Sequence, residues 1–158
     1  MKGVLPSRFS LDVDPLACRP VAGPTELATH YRIRHAVFVT EQQLFSPDDR
    51  DRHDDELATV HVLGFVNTVA AGTVRLYPLG EGRWKGDRLA VLPGHRRSGI
   101  GGPLVRLAVA TAGQRGGRQM DATVQAVHTA FFLSLGWTPI GSPAAHLGVP
   151  HQSMTIVL

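Results

Sequence analysis

The stretch LAVLPGHRRSGIGG, residues 89–102, decides the fold of this chain. Its apolar start predicts a buried strand, Pro93-Gly94 ends that strand, and the glycines after the two arginines open a helix. Glycines let the backbone approach a ligand closely, and the first N–H groups of a helix lack intrahelical partners at its positive dipole end. This order therefore predicts a phosphate cradle, with Arg96 and Arg97 as charge-assisted donors.

The pattern on either side of this stretch predicts a mixed α/β protein with one sheet. Strands are predicted at 16–21, 58–66, 69–79, 87–92, 119–124, 137–140 and 153–158, and helices at 23–40, from Ile100 onward and at 125–135. Residues 80–86 are predicted to form a loop. A hairpin precedes the glycine-rich turn, so the order does not suit a doubly wound dinucleotide fold. We expect one domain over residues 1–158, with 1–14 as an irregular arm.

Composition excludes several classes of protein. The chain has 158 residues, of which 43% are hydrophobic and 18% charged, so it can bury a core and disorder is not expected. Cys18 is the single cysteine, which leaves no intrachain disulfide and fits a reducing, cytoplasmic location. The N-terminus lacks an apolar signal segment, and no run of 18 apolar residues predicts a membrane span.

The net charge of +3 conceals two regions of opposite sign. Residues 83–118 carry eight basic residues and one acid, Asp87, whereas residues 48–56 carry six acids and two arginines. The basic region lacks interleaved aromatics apart from Trp84 and contains no known reader motif, so nucleic acid is not an expected partner. For the acidic loop, two interpretations are open: a solvated surface loop, which we favour, or an entrance that attracts a cationic amine.

Two familiar phosphate motifs and the usual metal motifs are missing. No G-x-x-x-x-G-K-[ST] occurs, and no G-x-G-x-x-G is followed by an acid about twenty residues later. The eight histidines include no H-x-E or H-E-x-x-H grouping, and there is no cysteine pair. We therefore expect no metal site.

The glycine-rich turn resembles a known family. Residues 96–101, RRSGIG, match the Q/R-x-x-G-x-G/A signature of the GNAT acyl-CoA N-acyltransferases, and residues 131–137, FFLSLGW, are similar to their later F-Y-x-x-L-G-F segment. Residues 34–42, the acidic loop leading to 61–64, and 148–151 with Met154 resemble the ElaA-like branch. The resemblance covers about residues 16–158 in the expected order.

This resemblance implies the GNAT fold, in which a mixed, mostly antiparallel sheet flanked by helices splays into a V-shaped cleft. Acetyl-CoA would lie in the cleft as co-substrate, and a primary amine of a small molecule or protein would attack its thioester directly. The backbone of Ala90 and Val91 would pair with the pantetheine amides. The pyrophosphate would be held at the turn by Arg96, Arg97, Ser98, Gly99, Ile100, Gly101 and Gly102.

Four residues are candidates for the general base: Glu41, His61, His128 and His151. We favour Glu41 and His151 as catalytic residues. Burial would raise the pKa of Glu41 toward a useful value, although an ion pair with Arg75 or Arg88 is an equally strong interpretation. His151 is expected in a loop of the matching segment, and histidine titrates in the useful range. His61 is expected on a sheet face or in the core, and His128 to be exposed or packed.

The position at which the superfamily often places a tyrosine acid is occupied by Phe132. Phenylalanine donates no proton, so water or another group protonates the leaving sulfur, or no acid is needed. The last option is chemically reasonable because a thiol has a pKa of about 8.5.

Two alternative functions remain open from sequence. The missing tyrosine is consistent with an acyl-CoA-binding or sensor module without catalysis. The segment containing Arg34, Phe38 and Glu41 also bears a resemblance to acyl-homoserine-lactone synthases. The strand at 153–158 is also suited to pairing across a homodimer.

Overall fold

The computed structural model describes residues 14–158, and the irregular arm predicted for residues 1–14 lies outside this range except for Asp14. Seven strands form the frame: β1 Leu16–Pro20, β2 Val60–Val66, β3 Val69–Gly80, β4 Arg83–Val91, β5 Gln119–Gln125, β6 Thr138–His146 and β7 Val149–Val157. The α-helices are α1 Gly23–Arg34, α2 Gly101–Gln114 and α3 Thr129–Ser134. A π-helix, His35–Glu41, continues α1, and short 3₁₀ turns occupy Arg52–Asp55, Pro93–His95 and Ala126–His128.

The strands form one sheet in the order β1-β2-β3-β4-β5-β7-β6. Every neighbouring pair is antiparallel except β4 and β5, which are parallel. The predicted mixed, mostly antiparallel sheet flanked by helices is therefore confirmed. The parallel pair requires a crossover, and α2 supplies it.

Two hydrophobic clusters cover opposite faces of the sheet. Successive residues of a strand point to opposite faces, and on β2 Val62 joins the cluster containing Leu104 of α2, whereas Leu63 joins the cluster containing Ile33 of α1. Helices α2 and α3 thus cover one face, and α1 with the π-helix covers the other.

The predicted hairpin is confirmed, because β2 and β3 pair across a tight turn. Asn67 and Thr68 both have positive φ, at 47° and 71°, as a type I′ turn requires. The loop predicted at residues 80–86 is wrong beyond Gly82: β4 begins at Arg83 because Trp84 is buried in the core, 6% exposed, and Arg83–Lys85 pair with β5.

Three further boundaries differ from the sequence predictions. The helix predicted over 23–40 changes at His35 from α to π geometry. The helix predicted over 125–135 is reduced to a 3₁₀ turn and six residues of α3. The closing strands are longer than predicted and joined by a tight turn, with Leu147 and Gly148 at positive φ. His146 and His151, which were expected in a loop, therefore lie on β6 and β7.

Candidate active site

The sheet splits between β4 and β5. The two strands pair only where Arg83–Lys85 meets Gln119–Asp121. Beyond that point β4 stays with β3 and β5 stays with β7, so the two arms diverge and the inner edge of β4 loses its strand neighbour. A cavity of about 320 Å³ fills the gap and has lining residues from both faces of the sheet. The split supplies what a ligand site needs, namely an open backbone edge beside a cavity.

A β-bulge in β4 adjusts its register beside the cavity. Arg75 lies opposite Asp87 but Thr73 lies opposite Ala90, so β4 contains one extra residue. Arg88 has φ of +52° at this point, and its carbonyl accepts a hydrogen bond from Thr73 Oγ1 (2.9 Å). Bulges of this kind redirect the edge of a strand and are frequent beside active sites.

After the bulge, the alternation of backbone groups along β4 makes Val91 the residue whose N–H and C=O face the split. The N–H of Leu92 donates to the carbonyl of Ala71 (2.9 Å). Hydrogen-bonded pairs alternate in an antiparallel ladder, so the backbone of Ala90 faces β3 and that of Val91 faces the open edge. Of the two residues predicted to pair with pantetheine, the geometry therefore favours Val91. Strand alternation was the sequence signal for this distinction.

The turn after β4 leaves a row of backbone donors without partners. The N–H groups of Arg97, Gly99, Gly101 and Gly102 find no acceptor in residues 14–158. Gly99 has φ of +83°, a conformation that costs other residues about 1–2 kcal/mol. The turn and the start of α2, together called the cradle below, thus have the unpartnered donors that the predicted anion site requires.

Two predicted members of the cradle have other structural roles. The N–H of Ile100 donates to Ser98 Oγ (3.2 Å), so the cradle closes upon itself at this point. The side chain of Ile100 is 1% exposed and packs in the core. Ser98 and Ile100 therefore hold the shape of the cradle, and the neighbouring N–H groups face outward.

The two adjacent arginines differ in their surroundings. Arg96 forms a bidentate ion pair with Glu41, and its Nε donates to the carbonyl of Val91 (3.1 Å). Arg97 is exposed and makes no ion pair within the described part of the chain. Arg97 is therefore a free cation at the turn, whereas Arg96 joins the edge of β4 to the end of the π-helix.

The expectation that burial raises the pKa of Glu41 is wrong. Its side chain is 34% exposed, and the hydrogen bonds from Arg96 lower its pKa below the ordinary value. The predicted partner was also wrong, because Arg75 and Arg88 are bound elsewhere. The next residue, Gln42, accepts a hydrogen bond from Gln125 Nε2 on β5 (2.9 Å), so the end of the π-helix contacts both arms of the split.

His151 brings an imidazole to the cavity. It lies on β7 opposite Gln125, is 8% exposed and lines the cavity. Its Nδ1 is 2.9 Å from the carbonyl of Val149, so Nδ1–H donates to that oxygen and Nε2 is the ring nitrogen that remains for a ligand. The ring of His146 packs edge-on against it, with centroids 5.0 Å apart.

The other two histidine candidates have different surroundings. His61 is buried on the sheet face, as predicted, where Nε2 donates to Asp54 Oδ1 (3.0 Å). His128 lies at the rim of the cavity, and partial burial with the nearby charge of Arg96 lowers its pKa. His61 belongs to a polar cluster away from the cavity, and His128 lies at its edge.

No tyrosine of the chain lines the cavity. Phe132 is 6% exposed and packs edge-on against Phe131 and Trp137, with ring centroids 5.3 and 5.4 Å away. Tyr31 packs against His30 and His61, and Tyr77 stacks on His53. The cavity wall at Phe132 is therefore aromatic and apolar, and it offers no hydroxyl group at the position where related proteins often have a tyrosine.

The acidic loop contains four exposed acids and two buried ones. Asp49 and Asp54 are 1% and 7% exposed. The buried guanidinium of Arg34 donates to both, at 2.7 Å and 2.6 Å. The interpretation of a solvated loop is therefore correct for the four exposed acids and wrong for these two, whose carboxylates are paired inside the protein.

The same cluster extends to β3 and β4. Arg75 binds Asp51 and Asp87 at 2.6 Å and 2.7 Å, and Arg88 contacts the backbone and carboxylate of Asp49. Burial opposes ionisation of Asp54, but hydrogen bonds from His61 and Arg34 hold its pKa well below the usual range. This arginine–aspartate network fixes Arg88, and with it the bulge of β4.

A splayed mixed sheet with an anion cradle at the end of its fourth strand defines a fold of the acyltransferase class. The sequence model of the Acetyltransferase (GNAT) family matches residues 26–137. The chain therefore belongs to this family of acyltransferases. A Bacillus subtilis (strain 168) protein named as an acetyltransferase is 27% identical over 138 residues, which cover 87% of this chain and 93% of that protein.

Solved structures share the fold. An N-acetyltransferase structure from Lactobacillus plantarum superposes with a TM-score of 0.79 at 23% identity and covers 92% of this chain and 99% of that one. Escherichia coli ElaA superposes with a TM-score of 0.76 at 22% identity over 89% of this chain and 97% of its own. The fold expected from the resemblance is thus confirmed.

Two features are absent from residues 14–158. No group of three or more His, Cys, Asp or Glu side chains is arranged to hold a metal ion. No helix in that range is long and apolar enough to cross a membrane.

Proposed function

We propose that this protein is an acyl-CoA-dependent N-acyltransferase that transfers an acyl group, in the simplest case acetyl, from CoA to a primary amine. The observation that carries the proposal is the row of free N–H groups at the start of α2, which directly follows the open edge of β4. A long anionic cofactor with amides in its arm matches both features. The CoA pyrophosphate belongs at the cradle, and the pantetheine amides belong at Val91.

The donor is held by the backbone and by Arg97. Gly99, Gly101 and Gly102 offer N–H groups at the positive end of α2. Arg97 adds a free guanidinium, while Arg96 remains with Glu41 and keeps the carbonyl of Val91 in place. Glu41, with its lowered pKa, fits this positioning role better than that of a base.

His151 is the general base of the proposal. The lone pair of Nε2 accepts a proton from the amine, directly or through one water, as the amine nitrogen attacks the thioester carbon. A C–N bond forms, the C–S bond breaks, and the thiolate leaves with CoA. The proton then passes from His151 to the sulfur or to solvent, so Phe132 need not act as an acid.

The test is to measure turnover of acetyl-CoA with a panel of primary amines, using the release of free CoA thiol as the readout. We expect His151→Gln to lower kcat about 100-fold or more, the range that a positioned base contributes. His146→Gln is the matched control on the neighbouring strand, and we expect a change of less than about fivefold. Glu41→Gln should act mainly through the KM for acetyl-CoA.

Equal turnover by the wild type and His151→Gln would show that His151 is not the general base. An absence of CoA binding, or of turnover on every amine, would overturn the proposed function.

A further inference from the structure

The cavity continues past the place where the thioester belongs. Its lining comes from β4 at residues 85–89 and from β5 at residues 120 and 122–125, and includes neither Val91 nor the cradle. It therefore lies on the far side of Val91 from the pyrophosphate site. Its inner end is closed where Lys85 pairs with Asp121. The arm of CoA reaches Val91 from the cradle, so this inner space remains for groups beyond the sulfur.

The cavity has two unlike halves. On the face of α1 the lining is mixed: Gln42, Thr123, Gln125 and His151 are polar, and an apolar patch comes from Phe38, Leu44 and Phe45. This half suits the amine, because it contains the proposed base and several hydrogen-bonding groups. On the face of α2 the lining is apolar and comes from Val105, Ala108, Met120, Ala122, Phe132 and Trp137.

An acetyl group fills only a small part of the cavity, whose volume is shared between the two halves. A volume of about 320 Å³ equals that of roughly ten waters at about 30 Å³ each, whereas acetyl brings a single methyl group beyond its carbonyl. Protein interiors are otherwise packed without such space. The small side chains of Ala108 on α2 and Ala122 on β5 keep the apolar half open between larger neighbours.

Resting on the proposed function, we infer that the preferred donor carries a linear acyl chain longer than acetyl, of roughly four to eight carbons if each fills about one water volume. The chain lies in the apolar half, between α2, β5 and α3. The carbonyl stays at the open edge of β4, and the amine approaches from the half that contains His151. Phe132 belongs to the wall of this chain pocket, which accounts for an apolar ring at that place.

The experiment measures binding alone, so it needs no acceptor. Kd values for CoA, acetyl-CoA, butyryl-CoA, hexanoyl-CoA and octanoyl-CoA are determined by calorimetry on the wild-type chain. Burial of each methylene tightens binding by roughly three- to fourfold, so we expect hexanoyl-CoA to bind at least tenfold more tightly than acetyl-CoA. Equal Kd values for all acyl-CoAs would overturn the inference and leave acetyl transfer untouched.

Filling the pocket tests its location. In Ala108→Leu, hexanoyl-CoA should bind less than threefold more tightly than acetyl-CoA. The Kd for acetyl-CoA itself should stay within about twofold of the wild-type value. Ala122→Val does the same from β5 if the first variant folds poorly. Ala110→Leu, exposed on the same helix, is the control and should keep the full gain.

If both Ala108→Leu and Ala122→Val still bind hexanoyl-CoA at least tenfold more tightly than acetyl-CoA, the location assigned to the acyl chain is wrong. Failure of CoA itself to bind would contradict the proposed function, and the inference with it.

Discussion

Two charged regions adjoin β4, and they differ in whether their polar groups have partners. The arginine–aspartate network contacts the strand at Asp87 and Arg88, and its central guanidinium groups, those of Arg34 and Arg75, are fully buried and paired. The cradle follows the same strand, and four of its N–H groups and the guanidinium of Arg97 have no partners in residues 14–158. The comparison indicates that paired charge maintains the structure, whereas the unpaired donors are available to a ligand.

The largest expected effect comes from breaking the paired region. Asp54→Asn removes a carboxylate that faces Arg34, His61 and Arg75. Removal of one partner from a buried ion pair typically costs about 3–5 kcal/mol, and we expect a loss of this order in the free energy of unfolding, measured by urea titration. Asp55→Asn, at the exposed neighbouring position, should change it by less than about 0.5 kcal/mol. Similar losses for both variants would contradict the distinction.

A smaller effect is expected from pH, through the histidine behind the network. Burial, with the charges of Arg34 and His61, lowers the pKa of His30 to about 3, whereas an unfolded histidine has a pKa of about 6.5. As the pH falls below about 6.5, the unfolded chain binds a proton that the folded chain refuses until about pH 3. Stability should therefore decrease by about 2 kcal/mol between pH 7 and pH 5.

The effects of His30 and of the buried carboxylates on stability occur in different pH ranges. The pKa of Asp54 is lowered, so its contribution is present above the unfolded value and is lost only at more acidic pH. Urea titrations at pH 7 and pH 5 should show that His30→Gln removes most of the slope, whereas His35→Gln, exposed at the start of the π-helix, retains it. An unchanged slope in His30→Gln would assign the titration to other groups.

The smallest expected effect on stability is at the cradle. Gly99→Ala places a side chain at φ of +83°, which costs about 1 kcal/mol or slightly more. A Cβ at Gly94 would meet no atom within 4 Å and one at Gly99 would meet only Leu16 Cδ1 at 3.9 Å, so neither would clash, and of the two only Gly99 has positive φ. Gly94→Ala should therefore leave the melting temperature unchanged, and an equal shift in the two variants would show that the backbone conformation is not the cause.

The cradle could be predicted from sequence because its determinants are local. A strand, a glycine-rich turn and a helix follow one another within residues 89–102, and backbone geometry alone produces the donors. The hairpin was predictable for the same reason, since Asn67-Thr68 lies between two β-rich runs.

The ion pairs could not be predicted, because their partners are distant in sequence. Glu41 and Arg96 are 55 residues apart, and Arg88 reaches Asp49 across 39 residues. Nothing local distinguishes a buried acid of the loop from a solvated one. The π-geometry at His35–Glu41, which carries Glu41 and Gln42 to opposite arms of the split, is likewise set by tertiary packing.

The most direct measurement is a calorimetric titration of CoA into three proteins: wild type, Gly99→Ala and Gly94→Ala. If the unpaired donors hold the pyrophosphate, wild type binds CoA, Gly94→Ala binds within about twofold of it, and Gly99→Ala binds at least tenfold more weakly. Wild type that does not bind CoA, or Gly99→Ala that binds as tightly as wild type, would contradict the account.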